Sequence, residues 1–280
     1  MPLLETIIKW ADRTPGISTL ILSGSLAGKG NKDALSDYDI AVYGNSFDFI
    51  TNDDWILDIG EYLVCIQDRF EFLGYEIASR LIIFNEPIKV DFSFHPLQSL
   101  QAIISQKKLP DAYNIGYRVL LDKERFASNL PEPAYKGFSI EEPTEKEFQK
   151  NISEFWFEIY HVAKYLHRDD LWAVKLRDLA AKKWLRQMLE WHHAVKMKWN
   201  FSPKQEGRGM KEWIDEKIWK QLHISFSNFS KKDSWDALEN TINLYREIAN
   251  ENAMHLKYLY NQKLDNAISA FIKKLNRLPA

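Results

Sequence analysis

Apolar and polar positions are spaced differently in the two halves of this 280-residue chain. In the first half the apolar runs are short. Residues 3–11 carry apolar side chains at helical spacing and stop at Thr14-Pro15-Gly16, a strong turn signal. Residues 17–22 are rich in branched apolar side chains and predict a strand. A loop of Gly, Ser, Asn and Lys follows. Residues 38–42 predict a second strand, with Tyr38, Ile40 and Val42 on one face because side chains alternate across a strand. Residues 62–66 predict a third. Residues 80–84 and 89–94 flank Asn85-Glu86-Pro87 and predict a hairpin.

The second half changes period. Pro131, Pro133, Gly137 and Pro143 cluster where the pattern switches, so domains over residues 1–137 and 138–280 are expected. Thr144-Glu145-Lys146-Glu147 has the form of a capping box, in which the threonine hydroxyl takes a helix N–H and the glutamate reaches back. Phe148, Ile152, Phe155, Ile159, Val162 and Leu166 then recur every three or four residues, as one helix face requires. Asp169 or Asp170 can start a second long helix running to about residue 198. Residues 210–222 and 234–260 predict two more. The expected fold class is therefore α+β: a mixed β-sheet with flanking helices, then a helical bundle.

Composition narrows the partners. Hydrophobic residues make up 45% of the chain, enough for a sizeable core. The net charge of −2 argues against a nucleic-acid coat, which needs a basic excess to displace phosphate counterions. Residues 1–140 hold 13 basic and 19 acidic side chains, and the remaining residues hold 24 and 20. Eight of the ten tryptophans fall in the second half, where helical spacing predicts core packing rather than a ligand cage. Cys65 is the only cysteine, which excludes an internal disulfide; its apolar run predicts a buried core thiol. No apolar run approaches the length of a membrane span, so a cytoplasmic protein without membrane contact is expected.

The candidate chemistry lies in Gly24-Ser25, Asp37-Tyr38-Asp39 and Asp91. Gly24-Ser25 falls where a strand ends. Glycine lets backbone approach a phosphate, and the serine hydroxyl and nearby amides can bind its oxygens. Asp37 and Asp39 are two apart at the start of a strand, so both carboxylates point to one side. Such neighbours repel unless a cation sits between them, and magnesium prefers oxygen ligands and substrate phosphates. Asp91 lies in the alternating run Val90-Asp91-Phe92-Ser93-Phe94 and shares a face with Ser93 and His95. A lone charge there would be costly to bury.

Two other patterns compete. Gly28-Lys29-Gly30 resembles a P-loop fragment. The spacing from Gly24 to Gly28 is one residue short, however, and Gly30 stands where Ser or Thr is needed. Glu158 with His161 and Glu190 with His193 have the Glu-x-x-His spacing of di-iron helical bundles, an alternative from another chemical class that needs further glutamates.

The combined pattern resembles the polymerase-β-type nucleotidyltransferase superfamily. More narrowly, the chain is similar to the aminoglycoside 6-adenylyltransferases, the streptomycin-resistance type, over nearly its whole length. The likeness rests on Gly24-Ser25, Asp37-Tyr38-Asp39-Ile40 and Lys89-Val90-Asp91-Phe92. The packing stretches Val119-Leu120-Leu121-Asp122-Lys123, Glu154-Phe155-Trp156 and Met188-Leu189-Glu190-Trp191-His192 extend it. One position departs: relatives associated with streptomycin usually carry arginine after the Gly-Ser pair, and Leu26 stands here.

The resemblance implies an N-terminal nucleotidyltransferase domain and a C-terminal helical substrate-binding domain. It implies transfer of AMP from ATP to a hydroxyl of a small molecule such as streptomycin, with two magnesium ions and release of pyrophosphate. Asp37, Asp39 and Asp91 would be the catalytic metal ligands, with Gly24, Ser25 and Lys29 on the nucleotide. Asp91, Glu154 or Asp178 could serve as general base. A non-antibiotic acceptor is the alternative within the same chemistry. The expected partners are ATP and a small hydroxylated acceptor, in a monomer or homodimer.

Overall fold

The computed structural model describes residues 2–29 and 35–278. Gly30 and the rest of the loop to residue 34 lie outside the described residues. The chain divides into two compact units, Met1–Gly137 and Phe138–Ala280.

The first unit is a mixed sheet with helices on both faces. Helix α1 (Pro2–Arg13) buries Leu4, Ile7, Trp10 and Ala11 at three- and four-residue spacing and ends before Gly16, whose φ is +86°. Six strands follow: β1 (Ile17–Ser23), β2 (Tyr38–Gly44), β3 (Tyr62–Phe72), β4 (Tyr75–Phe84), β5 (Ile88–Pro96) and β6 (Arg118–Asp122). Helices α2 (Leu97–Gln106) and α3 (Asp111–Ile115) separate the last two strands. The sheet order is β3-β4-β5-β2-β1-β6. Among the described residues only β2 and β5 pair in parallel; the other neighbours are antiparallel.

The predicted alternation becomes two cores. Leu20, Leu22, Ile40, Val42, Val90, Phe92 and Phe94 pack with α1 and Trp55 on one face. Ile21, Ala41 and Tyr43 pack with α2 and Tyr113 on the other. The predicted hairpin closes through residues 85–87, with Glu86 at φ +58°.

The edge of the sheet departs from the sequence reading. Strand β3 runs to Phe72 rather than residue 66, turning at Leu73-Gly74, both at positive φ. Cys65 is half-buried on this edge rather than in the core, because β3 is covered on one side at most. Burial and the nearby Asp53 carboxylate push its thiol up to about 11, so it is not a thiolate nucleophile. The stretch read as a packing signature around Val119 is strand β6. Its Asp122 carboxylate accepts from Thr19 Oγ1 and from the amides of Phe126 and Ala127.

The second unit is helical. Helix α4 (Glu145–His167) starts with the predicted capping box: Thr144 Oγ1 accepts from the Glu147 amide, and Glu147 Oε2 accepts from the Thr144 amide. All six predicted face residues of α4 are buried. Helix α5 (Leu171–Lys196) packs along it. The helix expected over residues 210–222 is instead broken into α6 (Met210–Trp213) and α7 (Glu216–Ser225), because Ile214 and Asp215 take extended backbone. Helix α8 (Lys231–Leu256) begins three residues earlier than predicted and stops at Lys257, which is left-handed. Helix α9 (Gln262–Arg277), not foreseen, lays Leu264, Ile268, Ile272 and Leu275 on the bundle core. The core is aromatic, with Phe155 and Tyr245 stacked at 3.5 Å between centroids. Trp156 and Trp191 are buried, whereas Trp172 is 75% exposed. No helix among the described residues is long and apolar enough to cross a membrane.

Candidate active site

Three strand ends meet at one rim of the sheet. Strand β1 ends at Ser23, which is in register with Asp39 near the start of β2. Asp39 is in turn in register with Asp91 on β5. The parallel pairing of β2 and β5 aligns the two aspartates, and period two sends both toward the face that carries Ala41, Tyr43 and His95. Asp37 immediately precedes β2.

Lys89 ties this rim together. Its Nζ lies 2.6 Å from Asp91 Oδ2 and 3.1 Å from Asp37 Oδ2. Burial works to lower the pKa of this ammonium. Hydrogen bonds to Asp91 and Asp37 more than reverse that, so it is held above the ordinary lysine value. The sequence reading passed over Lys89 as a site residue. Its signal was the Lys-x-Asp spacing, which puts both side chains on one face of β5. What the sequence could not supply was the β2–β5 pairing that adds Asp37.

The Gly-Ser turn lies directly on Asp39. Gly24 has φ +70°, and a Cβ built there would fall 2.0 Å from Asp39 Oδ2, so only glycine fits. The Gly24 carbonyl accepts from the amides of Ala27 and Gly28 at 3.2 and 3.1 Å, closing a tight turn with Ser25 exposed. Gly28 is backed by Gly116 ahead of β6, where a Cβ would come within 2.6 Å of Gly28 Cα. Leu26 packs against the sheet core. Lys29 is directed elsewhere: its ammonium sits 3.7 Å from the centroid of Tyr135. The structure therefore joins Asp37, Asp91 and Lys89 directly. It brings Asp39 to Asp91 by register and to Gly24 by contact, and it places Lys29 on a separate ring.

The groups under the site are fixed and neutral. His95 is buried, its Nε2 2.9 Å from Ser93 Oγ and its ring stacked on Tyr43. Burial lowers its pKa to about 4. The Tyr43 hydroxyl meets that of Tyr113 at 2.6 Å, which ties β2 to α3.

The donor set suits a hard divalent cation, since it consists of carboxylate oxygens. Among the described residues no three carboxylate, imidazole or thiolate groups gather about one point. The rim carboxylates are linked through the Lys89 ammonium instead. Asp91 Oδ1 is buried and has no hydrogen-bond partner among the described residues. A buried acceptor left unsatisfied is costly, and coordination to a cation would satisfy it.

The alternative constellations are structural. Glu158 pairs with Arg177 and Glu190 with Arg186, whereas His161 bonds the Phe157 carbonyl and His193 packs on Phe201 and Trp213. Asp178 is held by Lys182 at 2.6 Å.

Comparison with known proteins identifies the family. The chain is 28% identical over 279 residues to an aminoglycoside 6-adenylyltransferase of Campylobacter jejuni, covering 96% of this chain and 94% of that protein. It is 25% identical over 266 residues to one of Bacillus subtilis strain 168, covering 92% and 91%. A crystal structure of an aminoglycoside 6-adenyltransferase from Bacillus subtilis aligns with 21% identity and a TM-score of 0.49, covering 99% of this chain and 98% of that one. The family model described as streptomycin adenylyltransferase matches residues 2–275, and the chain belongs to that family of nucleotidyltransferases.

Proposed function

We propose that this enzyme transfers AMP from ATP to a hydroxyl of an aminoglycoside, streptomycin being the first acceptor to test. The observation that carries the reading is the rim where Lys89 joins Asp37 and Asp91, register sets Asp39 beside Asp91 next to the Gly24 turn, and one buried Asp91 oxygen has no partner among the described residues.

The acceptor oxygen attacks the α-phosphorus of ATP. The bond from that phosphorus to the bridging oxygen breaks, and pyrophosphate leaves. Gly24 keeps the turn close to the carboxylates, so the Ser25 hydroxyl and the turn amides not bonded to the Gly24 carbonyl can take phosphate oxygens. Asp37, Asp39 and Asp91 would hold two magnesium ions, which stabilise the charge on the attacking and leaving oxygens. Asp91 accepts the proton of the acceptor hydroxyl. The neutral His95–Tyr43–Tyr113 stack holds the sheet face under Asp91 rigid.

A second reading, a non-cationic acceptor, has two observations in its favour. A cavity of about 1060 Å³ in the helical unit has a mainly apolar lining, with Leu176, Leu185 and Trp219 among it, and its charged members are Lys182, Lys183, Arg186 and Lys211 against Glu206. That lining does not suit a polycation. Leu26, packed into the core, also withholds the basic contact expected beside the turn.

The test is magnesium-dependent pyrophosphate release from ATP with streptomycin, other aminoglycosides, a lincosamide and RNA as acceptors. Release driven by an aminoglycoside and abolished in Asp37→Asn supports the proposal. Transfer that survives Asp37→Asn, or that needs a non-aminoglycoside acceptor, overturns it.

A further inference from the structure

The carboxylate rim already contains a cation, the ammonium of Lys89. It reaches Oδ2 of Asp91 and Oδ2 of Asp37. Its placement is not incidental to the strand. Lys89 and Asp91 share a face of β5, and Tyr38 is opposite Val90, so the residues just before that pair are Asp37 and Lys89. The ammonium offsets part of the charge of Asp37 and Asp91 and leaves Asp91 Oδ1 without a partner among the described residues.

We propose that Lys89 is the resident counter-ion of the nucleotide-free site, and that it is displaced from Asp37 and Asp91 when a divalent cation binds. The ammonium and a divalent cation compete for the same space and the same charge. A divalent cation must approach carboxylate oxygens to about 2.0–2.1 Å. An ammonium 2.6 and 3.1 Å from two of those oxygens occupies the same place, and two cations repel at that range. Lys89 therefore does two things. It holds Asp37 and Asp91 together when the site is empty, and it weakens the binding of bare metal. Nucleotide binding then supplies the extra phosphate oxygens that make displacement favourable. Lys89 is a positioning residue in this scheme, acting through Asp37 and Asp91.

The inference rests on the carboxylate rim being the metal site, and its test separates the two claims. Manganese is titrated into the full-length protein without nucleotide at fixed pH, with free manganese followed by electron paramagnetic resonance. Wild type is compared with Lys89→Met, Lys89→Gln and Lys89→Arg, and each is melted in EDTA and in magnesium. Lys89→Met should bind manganese about tenfold more tightly, because a like charge has gone from the ligand oxygens. It should also melt lower than wild type in EDTA and gain more from magnesium. Lys89→Gln should follow it, providing a second reading should the methionine variant not fold. Lys89→Arg should behave as wild type. Manganese affinity unchanged or weakened in both neutral variants, with Asp91→Asn still abolishing binding, overturns the role of Lys89 alone. Manganese binding that is indifferent to Asp91→Asn overturns the metal site itself, and this inference with it.

Discussion

Asp91 and Asp265 are both carboxylates withdrawn from water, and the protein treats them in opposite ways. The Asp265 side chain is 1% exposed and accepts from Arg246 Nε and Nη2, the Tyr260 hydroxyl and the Ser269 hydroxyl. Every lone pair it can offer has a use inside the helical unit. Asp91 is 26% exposed in its side chain, is bonded at one oxygen by Lys89, and keeps its other oxygen buried without a partner among the described residues. A saturated carboxylate holds helices together, whereas an unsaturated one at a strand end is left available for a ligand. Burial alone would have ranked Asp265 as the more unusual residue. Counting its satisfied oxygens reverses the ranking.

The sharpest way to break this comparison is to remove each charge in turn. Asp91→Asn keeps the shape and loses the ligand. Magnesium-dependent pyrophosphate release should fall about a hundred- to a thousandfold while the melting temperature stays close to wild type. Asp265→Ala should do the reverse. It strands Arg246 and Tyr260 and should destabilise the protein by about 3–5 kcal/mol, read by urea unfolding, with kcat of the folded enzyme nearly unchanged. A pH series adds detail. Burial works to raise the Asp265 pKa, but hydrogen bonds from Arg246, Ser269 and Tyr260 outweigh it and hold the carboxyl below its ordinary value. Its contribution is thus complete above the pH where the unfolded carboxylate titrates. It is lost as pH falls through the lower, folded value. Asp265→Ala should flatten that acid limb.

His95 gives a third behaviour on the same strand face as Asp91. Its folded pKa of about 4 is lowered from 6.5 by burial. Between those two values the unfolded chain takes up a proton that the folded chain refuses. Stability should therefore rise with pH across that window and be fully present above it. The span amounts to roughly 3 kcal/mol, and His95→Phe, which keeps the ring against Tyr43, should remove it. Urea unfolding between pH 4 and 7 measures the slope. An equal slope in His95→Phe would mean that His95 is protonated in the folded protein.

Legibility in the sequence followed the reach of the forces involved. The faces of β2 and β5 were readable because alternation is local and both faces are covered: Val90, Phe92 and Phe94 go one way, Asp91, Ser93 and His95 the other. The capping box of α4 was readable because four residues contain it. The outer part of β3 was not, since Gln67, Asp68, Arg69 and Glu71 have little to pack against and carry no apolar pattern. Helix α9 has only Asp265 fully buried, so its stripe is made of half-buried residues. Of the candidate site, Asp37, Asp39, Asp91 and Gly24 were marked by motif spacing. Lys89 was not, because its second partner comes from the register of two strands that are distant in sequence.

The smallest effect separates two meanings of the loop lysine. Lys29 is exposed and stacked over Tyr135 rather than on the carboxylate rim. An exposed cation–π contact contributes about 0.5–1 kcal/mol, so neither Lys29→Ala nor Tyr135→Leu should shift the melting temperature much. Their kinetics should differ. If Lys29 leaves the ring to meet ATP phosphates, Lys29→Ala raises KM for ATP a few-fold with kcat unchanged, as loss of uniform binding requires. Tyr135→Leu frees the ammonium from its ring and should leave KM equal or lower. If both substitutions raise KM alike, the stack itself positions the turn, and Lys29 belongs with the satisfied, structural charges such as Asp265 rather than with Asp91.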